Sequence, residues 1–138
     1  MTEAHLRRLS VTLRTLENAL LDVEATLADP PVLAMTIYED DVARGLRAPI
    51  RGRLRQLHDE ILVMKRRYAL APQMVSNRRR ISARLSLQSI NLTEATSRHM
   101  RAYGEMTADE QGLLDDQVMK LIDLVEELNA IVSGRPKS

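Results

Sequence analysis

The feature that most constrains the fold is a row of apolar residues near the start of the chain. Its members recur at alternating spacings of three and four residues: Leu6, Leu9, Leu13, Leu16, Leu20, Val23 and Leu27. This period places them on one side of an α-helix and predicts burial against another helix. Thr2 is the predicted N-cap. The predicted helix stops at Asp29-Pro30-Pro31, because a residue before proline is disfavoured in the α conformation.

Two later stretches repeat the pattern. A second long helix is predicted from Pro49, in its first turn, to Ala71, with Pro72 beyond its end. Its seam is Ile50, Leu54, Leu57, Ile61, Met64, Tyr68 and Ala71. A last helix opens with Thr107 and Glu110, which have the spacing of a capping box, and closes at Gly134 and Pro136. Its seam is Leu114, Val118, Leu121, Val125, Leu128 and Val132.

A third long helix is predicted between these two, over residues 73–103, with Gly104 as its C-cap. Its seam is poorer, because Gln88 and His99 take apolar positions and Ser and Thr are frequent beside them. Buried polar groups need hydrogen-bond partners, so these residues either fix the helix register or lie at an exposed edge. The alternative hypothesis is a small polar pocket lined by Gln88 and His99.

The segment of residues 30–48 separates the first two long helices. Met35, Tyr38, Val42 and Leu46 would share one face of a short helix that ends at Gly45. The alternative for this segment is a crossover connection without a helix of its own.

Together these patterns predict an all-α fold. The chain has three Tyr and neither Phe nor Trp, which indicates an aliphatic core between helices rather than a sheet. We expect an antiparallel, up-down four-helix bundle, with the 30–48 segment as a short extra helix or crossover between helices one and two. The length of 138 residues suits a single domain, residues 1–138.

Catalytic and metal-binding motifs are not found. The chain has no Cys, three His and five Gly, so thiolate sites are excluded and a glycine-rich phosphate loop is not expected. No Glu has a His three residues later, as carboxylate-bridged di-iron bundles require. We therefore predict no cofactor, no metal and no small-molecule substrate. Without a membrane-length apolar run or a secretory signal, the expected location is the cytoplasm, and membrane partners are not expected.

One spacing bears on catalysis. Arg53 and His58 are separated by four residues, as in the Arg-x(4–6)-His motif of HEPN-type ribonucleases, where His would act as acid or base and Arg would hold phosphate. A chain with 17 Arg and three His is expected to contain about one such spacing by chance. We claim no family resemblance, and this enzyme hypothesis ranks third.

Charge is segregated along the chain despite a net charge of +1. Residues 44–84 hold twelve Lys or Arg against two acids, and residues 105–127 hold eight acids against one base. One interpretation is that the basic helices pair with the acidic last helix. The other is that a basic tip binds an anionic partner, which would be nucleic acid, an acidic protein surface or anionic lipid. The basic tip is defined as Lys65, Arg66, Arg67, Arg78, Arg79, Arg80 and Arg84. Arg135 and Lys137 would return to that tip in an antiparallel bundle.

The last helix has more apolar residues than one seam needs. A second set flanks the seam: Leu113, Met119, Ile122, Leu124 and Ile131. It predicts either contact with the 30–48 segment or a homodimer interface. Two function classes remain ahead of the enzyme. The first is a non-enzymatic interaction module (adaptor, regulatory or structural subunit), homodimeric or bound to another protein. The second is a protein that binds nucleic-acid phosphates through the basic tip.

Overall fold

The computed structural model describes residues 1–134, and that part of the chain is helical without strands. Five α-helices follow in order: α1 (Glu3–Leu27), α2 (Arg44–Arg67), α3 (Asn77–Thr93), α4 (Ser97–Met100) and α5 (Ala108–Ser133). A short 3-10 turn, Arg101–Tyr103, follows α4. The predicted all-α class is thus confirmed. The chain divides into two compact units, Met1–Gln73 and Met74–Ser138.

Helix α1 begins as predicted. The Thr2 hydroxyl accepts a hydrogen bond from the backbone N–H of His5, and His5 Nδ1 accepts one from the backbone N–H of Thr2. Two N–H groups that a helix start leaves without partners are satisfied in this way. The helix ends at Leu27, two residues before Asp29-Pro30, as the proline pair predicts.

Helix α2 starts five residues earlier than predicted, at Arg44, so the placement of Pro49 in the first turn is wrong. The early start has a tertiary cause that the local pattern does not contain. Arg47 Nη1 donates to the carbonyl oxygen of Leu27 at 2.8 Å, and Arg47 Nη2 lies 2.6 Å from Asp40 Oδ1. These bonds fix the first turn of α2 against the end of α1, where the free carbonyls carry partial negative charge.

The connection between α1 and α2 contains no helix, so the predicted short helix ending at Gly45 is wrong and the crossover alternative describes the segment. Met35 and Tyr38, expected on its buried face, are exposed, and Val42 alone among the residues between the two helices is half-buried. A stretch that begins with two prolines and contains Val, Thr and Ile has weak helix propensity. Val32, Met35 and Ile37 are almost fully exposed, so their packing does not compensate for it.

The first unit is built on the pairing of α1 and α2. Leu27 and Ile61 are its buried residues. Leu13 and Ile61 line one groove, and Arg47 reaches Leu27 at the other end of the pair. Early residues of α1 therefore lie beside late residues of α2, so the two helices run in opposite directions.

The second unit departs from prediction where a single helix was expected to continue to Tyr103. Helix α3 ends at Thr93, and the short α4 and the 3-10 turn follow. The Thr93 hydroxyl donates to the carbonyl of Ser89, and the Thr96 hydroxyl donates to the carbonyl of Thr93. Side-chain bonds of this kind compete with the helical backbone pattern and favour an interruption.

The ends of α5 agree with prediction. Thr107 and Glu110 form both bonds of the capping box, and Gly134 has the left-handed conformation with φ 68°. Pro136 lies outside the described residues. Gly104 does end the preceding turn, but its φ of 133° is outside the left-handed helical region assumed for it.

Helices α3 and α5 pack closely. Val118 and Ile122 of α5 are buried, and α3 presents alternating Ser and Leu to them: Ser82, Leu85, Ser89 and Leu92, all half-buried. Two positions of the predicted α3 seam are wrong. Ile81 and Gln88 are exposed, and the residue after each of them, Ser82 and Ser89, is half-buried instead. Small Ser side chains allow the two helices to approach closely. Because Ser is polar, an apolar periodicity does not reveal these positions.

Candidate interaction surfaces

An exposed apolar stripe runs along α5. Leu113, Leu124 and Ile131 are 63%, 51% and 75% exposed. At 100° per residue these three positions fall within about 20° of one another around the helix, over a length of about 27 Å. Leu121 and Leu128 are also about half exposed and lie between this stripe and the face that packs on α3. We call the set Leu113, Leu124 and Ile131 the α5 stripe.

Two further residues predicted for this surface lie elsewhere. Ile122 is 8% exposed and belongs to the core of the second unit, so it is not available to a partner. Met119 is exposed, but it is about 140° away from Leu124 around the helix. The sequence pattern assigned Leu121 to the buried face of α5, whereas the buried residue is its neighbour Ile122.

The α5 stripe is bordered by acidic residues. Asp116 and Asp123 are exposed on its flank, and the exposed Gln117 and Lys120 lie on the same face as the stripe, between Leu113 and Leu124. Like charges at this density repel a second acidic helix, and dissolved salt weakens that repulsion. The apolar contact and the charge therefore act in opposite directions on self-association.

The residues of the predicted basic tip are all exposed. Lys65, Arg66 and Arg67 form the last turn of α2 in the first unit, where cations suit the helix dipole. Arg78, Arg79, Arg80 and Arg84 belong to α3 in the second unit. Among residues 1–134 the two ion pairs are Arg7–Glu3 and Arg47–Asp40, so none of the seven cations is neutralised by a neighbour. Arg135 and Lys137 lie outside the described residues.

The start of α3 concentrates positive charge. Ser76 is the N-cap, and its hydroxyl accepts a hydrogen bond from the backbone N–H of Arg79 at 3.3 Å. Arg78, Arg79 and Arg80 thus occupy the first turn, which contains no acidic residue. The helix dipole disfavours cations at this end, so these side chains destabilise α3 slightly rather than stabilise it.

Gln88 and His99 are both exposed, on α3 and α4 respectively. A cavity of about 440 Å³ beside α4 includes neither of them among its lining residues, which are Ser97, Arg101, Gly104, Glu105, Met106 and Gln111. Next to it, Asp115 of α5 accepts hydrogen bonds from the backbone N–H and the hydroxyl of Ser97, both at 2.7 Å. These bonds lower the pKa of Asp115 below its ordinary value. Asp115 thereby holds the first residue of α4 against α5.

Arg53 and His58 lie about 140° apart around α2. Arg53 Nη1 donates to Gln56 Oε1 at 2.7 Å. His58 instead lines a groove of about 550 Å³ between α1 and α2 together with Arg51 and Arg55. The arginines that share a groove with His58 are therefore Arg51 and Arg55, whereas the ribonuclease motif requires Arg53.

Within residues 1–134, no group of three His, Asp or Glu side chains is placed to hold a metal ion. The helices in that range include none with the length and apolar content to cross a membrane. Comparison with protein families, with characterised proteins and with solved structures finds no match for this chain.

Proposed function

We propose that this protein is a non-enzymatic helical interaction module of the cytoplasm that works as a homodimer, with the α5 stripe as the contact between two copies. The observation that supports the proposal is the stripe itself. Its three large aliphatic side chains are 51% to 75% exposed. The other face of α5 already packs against α3, and both ends of the helix are capped within the second unit. Apolar residues aligned over several turns are typical of an interface rather than of a solvated surface.

A twofold axis suits this arrangement. In a symmetric dimer the same patch contacts itself, so one stripe supplies both halves of the interface. Each half-exposed Leu or Ile that becomes buried contributes about 1 kcal/mol, at about 25 cal/mol per Å² of apolar surface. Six such side chains from two copies give about 6 kcal/mol, which exceeds only the lower end of the about 4–15 kcal/mol that association costs, so these residues alone give a weak dimer.

The antiparallel four-helix bundle remains part of this proposal. It requires apolar residues that each unit leaves exposed, and Leu57 of α2 with Leu121 and Leu128 of α5 meet that requirement.

The test uses two matched substitutions. Leu124→Asp places a charge in the α5 stripe, and Met119→Asp places the same charge on another exposed face of α5. Multi-angle light scattering should give a dimer mass for wild type and Met119→Asp, and a monomer mass for Leu124→Asp, with circular dichroism unchanged in all three. Equal masses for the two variants would remove the α5 stripe from the dimer contact.

We propose, as a second candidate function, that the basic tip binds nucleic-acid phosphates. The observation in its favour is that all seven cations are exposed and unpaired within the described residues, and that three of them occupy a helix start where the dipole opposes them. No aromatic side chain accompanies them on α3, so base stacking has no support and recognition would be of phosphates.

Fluorescence anisotropy of labelled duplex and single-stranded oligonucleotides tests this candidate. If Arg78, Arg79 and Arg80 contact phosphates, replacing them by Ala lowers the salt dependence of duplex binding by about 0.9 in log-log slope per contact. The control replaces Arg51, Arg53 and Arg55 by Ala, which removes the same charge elsewhere. Loss of binding in both triple variants alike, or in neither, would contradict a site at the start of α3.

A further inference from the structure

The side of α3 that is turned away from α5 combines apolar side chains with positive charge. Successive residues of a helix are about 100° apart, so the direction opposite to the half-buried Ser and Leu residues of α3 can be assigned. Five exposed residues lie within about 60° of that direction. We call this set the α3 outer face: Arg80, Ala83, Arg84, Leu87 and Ile90.

The apolar members of the α3 outer face have the spacing of a surface that binds another helix. Leu87 and Ile90 are 54% and 59% exposed. Ala83, Leu87 and Ile90 follow one another at spacings of four and three residues, which aligns them along about 10 Å of the helix. Apolar anchors with this spacing are typical of contacts between helices. The spacing therefore favours a helical partner.

The cations of the α3 outer face determine the charge of that partner. Arg80 and Arg84 are four residues apart and border the apolar members, and no acidic residue occurs between Asn77 and Thr93. Neither arginine forms an ion pair within residues 1–134. Glu94 follows the last residue of α3 and is the nearest acid along the chain. A helix with Asp or Glu beside its apolar residues complements this surface, whereas a basic helix is repelled by it.

Leu87 and Ile90 distinguish this partner from nucleic acid. A phosphate backbone can pair with Arg80 and Arg84, but it has no apolar side chains to cover the aliphatic residues beside them. An acidic amphipathic helix satisfies both requirements in one contact. The observations at this face therefore favour a protein.

The proposed homodimer leaves the α3 outer face uncovered. The residues of the α5 stripe lie about 160° to 180° around α5 from Ile122, which is buried against α3. The α5 stripe and the α3 outer face are thus on opposite sides of the second unit. Helix α2 does not complement the α3 outer face, because it holds eight Lys or Arg against two acids.

We propose that the α3 outer face binds an amphipathic helix of a partner protein, with Leu or Ile covering Leu87 and Ile90 and with Asp or Glu opposite Arg80 and Arg84. The proposal adds a partner to the interaction module described above and does not depend on the dimer. Two large aliphatic side chains and two ion pairs make a small contact, so the binding is weak and reversible.

The probes are two labelled helical peptides of about three heptads, with Leu at the a and d positions and either Glu or Lys at every e and g position. Like charges at e and g prevent each peptide from pairing with itself. Fluorescence anisotropy with the full-length protein should show binding of the Glu peptide. The variant Arg80→Glu/Arg84→Glu should bind the Glu peptide about tenfold more weakly and the Lys peptide more tightly than wild type does, because two attractive pairs become repulsive.

A second variant separates apolar contact from charge. Leu87→Gln/Ile90→Gln keeps every arginine and uses a good helix former, so circular dichroism should be unchanged. It should bind the Glu peptide about tenfold more weakly, because the buried apolar surface is lost. The control Arg44→Glu/Arg53→Glu makes the same change of net charge on α2 and should bind the Glu peptide as wild type does.

Four results would overturn the proposal. The first is no binding of the Glu peptide to wild type at concentrations up to about 1 mM. The second is an equal loss of binding in the control variant. The third is unchanged binding in Leu87→Gln/Ile90→Gln, which would mean that the arginines act by charge alone, as towards phosphates. The fourth is a lower mass of Arg80→Glu/Arg84→Glu by light scattering, which would assign the α3 outer face to α5 of a second copy.

Discussion

Replacing Ile122 and Leu124 in turn by Ala tests which face of α5 is the core. The two residues lie two positions apart, about 160° from each other around the helix. Ile122 is 8% exposed against α3, whereas Leu124 is 51% exposed on the α5 stripe. Truncation of a buried Ile to Ala removes its transfer free energy and leaves a cavity, which together destabilise by about 2–4 kcal/mol. Truncation of Leu124 in the monomer leaves no cavity, so we expect a change of about 0.5 kcal/mol or less.

The assay is urea unfolding followed by circular dichroism, at a concentration where light scattering shows a monomer. The slope of the free energy of unfolding against urea should be the same for wild type and both variants, so that the midpoint reports stability alone. A midpoint lowered equally by the two substitutions, or lowered more by Leu124→Ala, would refute the assignment of the core face and of the stripe beside it.

Three further predictions concern contacts within the units and the dimer. Because its pKa is lowered in the folded state, Asp115 contributes stability above its ordinary pKa of 3.8, and that contribution is lost as the pH falls through the lowered value. Asp115→Asn should therefore destabilise at pH 7 and match wild type at the acid end, with Asp116→Asn neutral throughout by urea unfolding. Arg47→Ala should lower the free energy of unfolding by about 1–2 kcal/mol and speed proteolysis between α1 and α2, while Arg44→Ala should do neither. If the α5 stripe forms the dimer, raising salt from about 0.05 to 0.5 M should strengthen association, because the flanking acids are screened; weaker association would contradict this contact.

Sequence patterns predicted the local features of the fold well. The Thr2 and Thr107 caps, the proline stop after α1 and the Gly134 cap depend on a few neighbouring residues, and all are present. The features that failed depend on distant contacts. Helix α2 begins early because Arg47 reaches Leu27 and Asp40, and the separate short helix α4 is held where Asp115 binds Ser97.

The buried face of α5 was also only partly predictable from the sequence. Apolar periodicity indicated that this helix has more than one apolar face, and the structure agrees. The periodicity could not decide whether Leu121 or Ile122 is buried, because both fit a helical seam. The choice is made by the Ser-containing face of α3, whose small polar residues carry no apolar signal. The short helix predicted between α1 and α2 is wrong for a related reason, since Met35, Tyr38 and Val42 fit a helical period although Met35 and Tyr38 are exposed.

Sedimentation equilibrium of the wild-type protein over a range of concentrations tests the proposed dimer most directly. We predict a mass that rises towards twice 15.6 kDa with concentration, and that stays at 15.6 kDa when Leu124 is replaced by Asp. A wild-type mass of 15.6 kDa at every concentration would contradict the homodimer and would leave the basic tip as the candidate interaction surface.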